Sequence, residues 1–164
     1  MRAVVQRVSQ ARVEVDGVSV GAISAGLLVL VCAMAGDTAQ DEAWMVDRLL
    51  VLRVFPDDAG KMNRSLLDRH AGGVPAGLLL VSQFTLSAEL SPGRSKGTRP
   101  SFTAAMAPGP AEEAVHRVLL ALRSRAPGLP VAAGVFGADM QVHLVNDGPV
   151  TLWLDSEHKN EGPR

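Results

Sequence analysis

Alternating apolar and polar residues at the start of the chain predict a β-hairpin. The runs at residues 12–15 and 18–20 alternate valine with polar residues, and they flank the dipeptide Asp16-Gly17. Two such runs around Asp-Gly are typical of a hairpin with a type I′ turn, because both turn residues must adopt positive φ. A strand-like pattern over residues 4–8 predicts that the first strand starts close to the N-terminus.

Longer apolar patterns predict buried strands and two amphipathic helices in the middle of the chain. The apolar runs at 26–31 and 78–81 are typical of strands that are buried on both faces. Helical spacing of apolar residues begins after Thr38, where acidic residues favour a helix start, and Pro56 excludes its continuation. A second helical stripe follows Pro110, which we expect at the first helical position.

The C-terminal part of the chain predicts two more strands. Apolar residues alternate with polar ones over 140–144, and they are dense over 150–154. Strands at both ends with two helices between them favour an α+β fold, in which a largely antiparallel sheet curls into a barrel-like core. We expect one domain over residues 1–155 and a polar, flexible tail over 156–164.

The composition supports a single domain and suggests where the protein acts. Its 164 residues, of which 47% are hydrophobic, supply enough apolar side chains for one core. The sequence contains neither an apolar run of about 18 residues nor the apolar segment of a signal peptide, so it predicts no membrane span and no secretion. The single cysteine, Cys32, excludes an internal disulfide and predicts a reducing, cytoplasmic location.

The charge balance excludes a broadly basic nucleic-acid surface. The formal net charge is −1, which still leaves open an enzyme that binds only the end of an RNA. The densest basic stretch contains Arg94, Lys96 and Arg99 among glycines and prolines. We interpret it as part of a mobile, solvated loop over residues 87–99.

Common catalytic signatures are absent from the sequence. There is no Walker-type loop, no GxGxxG, no HExxH and no GxSxG, and the histidines have no cysteine at zinc spacing. We therefore expect no metal and no cofactor. His143 follows Asp139 by four residues, but on a strand this spacing is roughly 13 Å. His143 is interpreted as a half-exposed strand histidine.

Two segments carry polar residues at places where chemistry is plausible. SQFTL at 82–86 directly follows a predicted buried strand, and NDGPVT at 146–151 separates two predicted strands. From spacing alone, the first is equally well a strand with one solvated face. The second is by composition an ordinary turn, for which Asn, Asp, Gly and Pro are the usual residues.

Together, these two motifs resemble the signatures of the D-aminoacyl-tRNA deacylase family. Their order and separation match that family, and four other stretches are also similar to it. The similarity covers about residues 1–154, with expanded segments at 71–77 and 86–99. The other stretches are MRAVVQRVSQARVEVDG at 1–17, GKMN at 60–63, RPSF at 99–102 and FGADMQV at 136–142.

The resemblance implies an aminoacyl-tRNA editing hydrolase. Such an enzyme removes D-amino acids, and glycine mischarged on alanine tRNA, from the 3′-terminal adenosine of tRNA. The resemblance further implies a homodimer with the active site at the subunit interface. The residues assigned to catalysis are Ser82, Gln83, Phe84 and Thr85.

The substrate-binding residues are likewise implied by the resemblance. Gly148-Pro149, with a cis peptide bond, would reach in from the other subunit and reject L-aminoacyl esters sterically. Arg7 would support the orientation of this dipeptide. Asn146, in NDGPVT, and Met140, in FGADMQV, are also assigned to substrate binding.

The nucleophile does not follow from the motif. A threonine hydroxyl is weakly nucleophilic without a positioned base, and no base stands next to Thr85 in the sequence. The resemblance implies that the substrate's own ribose 2′-OH assists, while the backbone N–H groups of Phe84 and Thr85 stabilise the oxyanion.

Two alternatives stay open at this stage. The first is a small ester or thioester hydrolase with Thr85 or Ser82 as a covalent nucleophile. The second is a non-catalytic accessory domain that binds charged tRNA without cleaving it.

Overall fold

The computed structural model describes residues 1–90 and 99–158, and within them it contains ten strands, three α-helices and two 3₁₀ turns. Arg94, Lys96 and the tail residues 159–164, whose predicted features are given above, lie outside the described residues. The strands are β1 (Arg2–Val15), β2 (Val18–Ile23), β3 (Gly26–Cys32), β4 (Phe55–Pro56), β5 (Met62–Arg64), β6 (Gly77–Ser82), β7 (Glu89–Leu90), β8 (Pro100–Ser101), β9 (Val131–Ala133) and β10 (Gln141–Asp155). The helices are α1 (Ala39–Val51), α2 (Leu66–Ala71) and α3 (Pro108–Arg125), and the 3₁₀ turns are Phe84–Ser87 and Ser156–His158.

The main sheet runs in the order β10-β1-β3-β6-β9, and β2 also pairs with β1. β1 is antiparallel to β10, β2 and β3, whereas β3, β6 and β9 are parallel to one another. The sheet curls until β2 lies against β9. The approach is close: a Cβ added at Gly21 would lie 2.5 Å from the carbonyl oxygen of Ala133. The predicted α+β fold with a curled, barrel-like sheet is confirmed.

The predicted hairpin between β1 and β2 is present with the predicted turn. Asp16 has φ 51° and Gly17 has φ 76°, so both turn residues adopt the positive φ of a type I′ turn. Asp16 is the only residue other than glycine in the described part of the chain that does so.

The central strands β3 and β6 bury both of their faces, as their unbroken apolar sequences predict. In β3, Leu27, Val29 and Val31 point into a core shared with α1 and α3. Leu28 points into a second core inside the curl of the sheet, and Leu30 packs against that core. The residues of β6 alternate between the same two cores. Parallel strands covered on both sides need apolar residues at every position.

The helices depart from the prediction in number and in one boundary. α1 starts after its N-cap Thr38, which forms a capping box with Asp41, as expected. α3 begins at Pro108 rather than at Pro110. The short helix α2, capped by Ser65, makes three helices instead of the two predicted. None of the helices in the described ranges is both long and apolar enough to cross a membrane.

Two segments predicted as irregular contain regular structure. Strands β4 and β5 pair across the turn at residues 57–60. Strands β7 and β8 pair at the two ends of the predicted surface loop.

The two predicted C-terminal strands are one continuous strand. β10 stays one strand through the NDGPVT segment, which by composition is a turn, and it pairs with β1 before and after residues 147–150. A bulge accounts for the difference, since it accommodates turn residues without ending the pairing of the strands.

The buried ammonium of Met1 links the start of β1 to the residue that follows β10. The Met1 ammonium lies 2.5 Å from Asp37 Oδ1 and donates to Ser156 Oγ at 2.5 Å. Ser156, the first residue of the predicted flexible tail, is itself buried in the turn Ser156–His158.

Candidate active site

A cavity of about 640 Å³ opens at the carboxyl ends of β3 and β6. Its walls come from the last residues of these strands, the 3₁₀ turn, residues 102–108, the start of α3 and the loop that leads into β10. This volume is within the range of small-molecule sites. The lining consists of Val31, Cys32, Ala33, Val81, Ser82, Gln83, Phe84, Phe102, Thr103, Ala105, Met106, Ala107, Pro108, Ala111, Val115, Phe136, Gly137, Ala138, Met140 and Val142.

The SQFTL motif forms the rim of this cavity. β6 ends at Ser82, and the Gln83 N–H then donates to the Val31 carbonyl at 2.7 Å, so the turn that follows is held against β3. The Gln83 side-chain amide donates to Thr85 Oγ1 at 2.7 Å. The Phe84 ring meets Phe102 edge-to-face, with 5.1 Å between the ring centroids.

Two backbone N–H groups of the motif are free to donate. The first N–H that bonds within the turn belongs to Leu86, which donates to the Gln83 carbonyl at 3.2 Å. The N–H groups of Phe84 and Thr85 precede it, and neither has an acceptor within residues 1–90 and 99–158. Unpaired N–H groups at the start of a helical turn are suited to bind an oxygen that gains negative charge.

Among the described residues, the cavity has no side chain that could act as a general base. Of the described residues that line it, Cys32 is the only ionisable one, and no histidine or carboxylate is among them. Burial, with a smaller contribution from the Asp37 charge, raises the pKa of the Cys32 thiol. The thiol is therefore protonated at neutral pH and is a poor nucleophile.

NDGPVT forms a bulge in β10. Gln6 of β1 pairs with Thr151, and Val8 pairs with Asn146, so Arg7 alone faces residues 147–150. The Gly148-Pro149 peptide bond within this bulge is cis.

The Arg7 guanidinium connects the bulge to Val54. Its Nε donates to the Asp147 carbonyl at 3.2 Å and lies 3.0 Å from Asp147 Oδ2, while Nη1 donates to the Val54 carbonyl at 2.5 Å. A Cβ added at Gly148 would lie 2.9 Å from Arg7 Nη2, and Gly148 has φ +123°. A side chain at position 148 would thus displace the guanidinium as well as strain the backbone.

Asn146 closes the base of the bulge. Its amide donates to the Arg7 carbonyl at 2.9 Å and to the Val150 carbonyl at 3.0 Å. Its Oδ1 accepts from the Thr151 hydroxyl at 3.2 Å. The Asn146 side chain thus makes two contacts within NDGPVT and one with β1.

The predicted site residues thus fall into two groups within one subunit. Ser82, Gln83, Phe84 and Met140 line the cavity, and Thr85 lies beside it in the 3₁₀ turn. The second group forms the bulge and does not line the cavity; it consists of Arg7, Asn146, Gly148 and Pro149.

Several lining residues were not assigned to the site from the sequence, among them Phe102, Met106 and Phe136. Phe102 and Phe136 lie in stretches that resemble the deacylase family, and this similarity was the only signal for them. Their distance along the chain from SQFTL hides their proximity to it.

Comparison with known proteins identifies the family. Residues 4–155 match the family described as D-Tyr-tRNA(Tyr) deacylase. The chain belongs to this family. Its members are hydrolases that act on the ester bond of aminoacyl-tRNA.

Individual relatives agree with this assignment. The D-aminoacyl-tRNA deacylase of Methylibium petroleiphilum (strain ATCC BAA-1232 / LMG 22953 / PM1) is 55% identical over 166 residues, which cover 99% of this chain and 100% of the relative. That of Jannaschia sp. (strain CCS1) is 51% identical over 156 residues, covering 95% and 99%. A solved structure of the c-Myc DNA Unwinding Element Binding Protein is 40% identical with a TM-score of 0.82, covering 94% of this chain and 98% of that one.

Loss of the Asn146 side chain should loosen the bulge. We expect Asn146→Ala to lower the free energy of unfolding by about 2 kcal/mol, because the Arg7 and Val150 carbonyls lose their donor and the Thr151 hydroxyl loses its acceptor. Urea denaturation followed by circular dichroism measures this. The control is Gln6→Ala, which removes the single exposed contact of Gln6 Nε2 with Thr151 Oγ1 at 3.3 Å and should cost less than about 0.5 kcal/mol. Equal effects of the two substitutions would show that Asn146 does not hold the bulge.

Proposed function

We propose that this chain hydrolyses the ester between a D-amino acid, or glycine on alanine tRNA, and the 3′-terminal adenosine of tRNA. The observation that carries the proposal is the family match over residues 4–155, with the family's SQFTL motif at the rim of a neutral cavity. The cavity would receive the terminal adenosine, since its lining is mainly apolar and aromatic.

The reaction needs stabilisation of negative charge more than it needs a protein base. Water adds to the ester carbonyl carbon, and the carbonyl oxygen becomes an oxyanion. The N–H groups of Phe84 and Thr85 would bind that oxygen, and one such donor typically contributes about 3–4 kcal/mol. The bond to the ribose oxygen then breaks, and this oxygen takes up a proton.

The substrate itself would supply the assisting hydroxyl. None of the described residues that line the cavity can activate a serine or threonine, and Thr85 Oγ1 accepts a hydrogen bond from Gln83. The ribose 2′-OH is adjacent to the ester and already positioned, and such proximity replaces much of what a protein group provides.

D-specificity would come from Gly148-Pro149. Arg7 and Asn146 fix the backbone on both sides of this dipeptide, so it is a rigid wall. Its carbonyls would accept hydrogen bonds from the α-ammonium of the substrate, which leaves no room for an L side chain. Glycine has no side chain to reject, so it would be cleaved as well.

A homodimer would bring the two groups of residues together. Gly148 and Pro149 do not line the cavity of their own subunit, and β10 is an edge of the main sheet. Trp153 of this strand is 52% exposed and Val145 is 48% exposed. Long edge strands with exposed apolar side chains are usually covered in the native assembly. In the dimer, each dipeptide would enter the cavity of the partner subunit.

Chirality tests the function directly. We expect rapid deacylation of D-Tyr-tRNA and very slow deacylation of L-Tyr-tRNA, because the dipeptide would read the α-carbon. Ester loss from the same tRNA charged with either enantiomer measures this. Comparable rates on both would exclude the D-specific mechanism, and binding without hydrolysis of either would favour the accessory-domain alternative.

Subunit complementation tests the shared site. Phe84→Pro removes one N–H donor but leaves the dipeptide intact, whereas Gly148→Val displaces Arg7 but leaves the cavity intact. Each variant alone should be inactive. After co-expression we expect about a quarter of the wild-type activity, because half of the dimers are hybrids with one intact site each. If hybrid dimers form but are inactive, the dipeptide acts in the site of its own chain, and the shared site is excluded.

The nucleophile can be tested from both sides. We expect Thr85→Ala to keep most of its activity, because the Thr85 hydroxyl has no base. A D-aminoacyl substrate that ends in 2′-deoxyadenosine should be cleaved far more slowly, because it lacks the assisting hydroxyl. Thermal unfolding and sedimentation verify that the variant is folded and dimeric. An inactive but folded Thr85→Ala, together with normal turnover of the deoxy substrate, would instead favour the covalent-threonine alternative.

A further inference from the structure

A second groove adjoins the candidate active site. Its volume is about 540 Å³, and it lies between α3 and the ends of β6 and β9. Ser82, Val115 and Phe136 line both the groove and the cavity, so the two spaces are neighbours that share a wall. The groove is therefore the space next to the cavity on the side of α3.

One face of α3 forms a side of the groove. Glu112, Val115, His116 and Leu119 all line it, at the i, i+3, i+4, i+7 spacing of a single helical face. Ala111, which lines the cavity, lies on the neighbouring buried face.

The polar groups of the groove are available to a ligand. Neither the Glu112 carboxylate nor the His116 ring has a hydrogen-bond or ion-pair partner among the residues that the structure describes, and neither does the Ser82 hydroxyl. Glu113 also lines the groove, but its carboxylate lies 3.7 Å from Arg117 Nη1. Glu112 is thus the unpaired acceptor next to an aromatic and aliphatic wall.

We propose that this groove binds the cytidine that precedes the terminal adenosine of tRNA, with Glu112 accepting a hydrogen bond from the cytosine N4 amine. The inference rests on the proposed function, because it requires the adenosine to occupy the cavity. The nucleotide next to that adenosine must then lie beside the cavity, and the groove adjoins it.

The chemistry of the groove fits a base and not a phosphate. Carboxylates accept hydrogen bonds from the N4 amine of cytosine, whereas uracil carries an acceptor at that position and would be repelled. Phe136 in the shared wall offers a ring on which a single-stranded base can stack. A phosphodiester placed beside Glu112 would be destabilised, so the base enters the groove and the phosphates stay outside it.

The test compares three D-tyrosyl esters: those of adenosine, of the dinucleotide CpA and of the dinucleotide UpA. The value of kcat/KM for each is measured with the wild-type protein and with Glu112→Gln. We expect the wild type to prefer CpA over UpA by about fivefold, which is the size of one hydrogen bond at a solvated site. Glu112→Gln should lose about fivefold on CpA, narrow the preference for CpA over UpA, and stay within about twofold on the adenosine ester.

Glu157→Gln is the matched control, because it removes the same charge outside the groove and should change none of the three rates by more than about twofold. An equal loss on all three esters would make Glu112 a structural residue and overturn the proposal. A gain on both dinucleotides would show that Glu112 repels a phosphate in the groove, and a wild type indifferent to C and U would exclude base recognition. Failure of the proposed function is distinguishable, since the wild-type protein would then hydrolyse none of the three esters.

Discussion

Burial of both faces of the parallel strands β3 and β6 is the constraint on which the rest of the molecule depends. At the start of the two strands, Gly26 lies opposite Gly77, and a Cβ at Gly26 would lie 2.0 Å from the Gly77 carbonyl oxygen. In this chain, helices cover one face of the two strands and the curled sheet covers the other. Because the strands are parallel, their carboxyl ends open at the same edge. The cavity lies there.

In the proposed mechanism, backbone groups would recognise the substrate, and side chains would support those groups. The donors at the rim would be the N–H groups of Phe84 and Thr85, and the Gly148-Pro149 backbone would be the second component. Side chains such as Arg7 and Asn146 hold this backbone through carbonyl contacts. Backbone groups that are fixed before the substrate binds need little reorganisation during the reaction, which is where electrostatic stabilisation is strongest.

The sequence correctly predicted features that depend only on neighbouring residues. The Asp16-Gly17 turn and the start of α1 at Thr38 depend on a few neighbouring residues, and both were predicted correctly. The six-residue helix α2 was missed because it is too short to show a helical period. Of Pro108 and Pro110, either can begin a helix, and tertiary packing decides between them.

Only the parts of the candidate site that lie in recognisable motifs could be predicted from the sequence. SQFTL and NDGPVT were identified from similarity, since their composition alone is that of a strand edge and a turn. That β10 continues through NDGPVT depends on its pairing with β1, which apolar spacing does not encode. The cavity wall at Phe102 and Phe136 comes from segments that are far from SQFTL in sequence and meet it only after folding.

The neutral lining of the cavity has a consequence for the pH–rate profile. Among the described residues around it, only Cys32 can ionise, and its raised pKa keeps the thiol neutral well into alkaline solution. The described lining residues of one subunit therefore contribute no group that titrates near neutral pH. If the ester is cleaved here as proposed, the pH dependence of the rate would come from two other sources. They are deprotonation of the substrate's α-ammonium, which the dipeptide would bind, and the hydroxide that competes with water as the nucleophile.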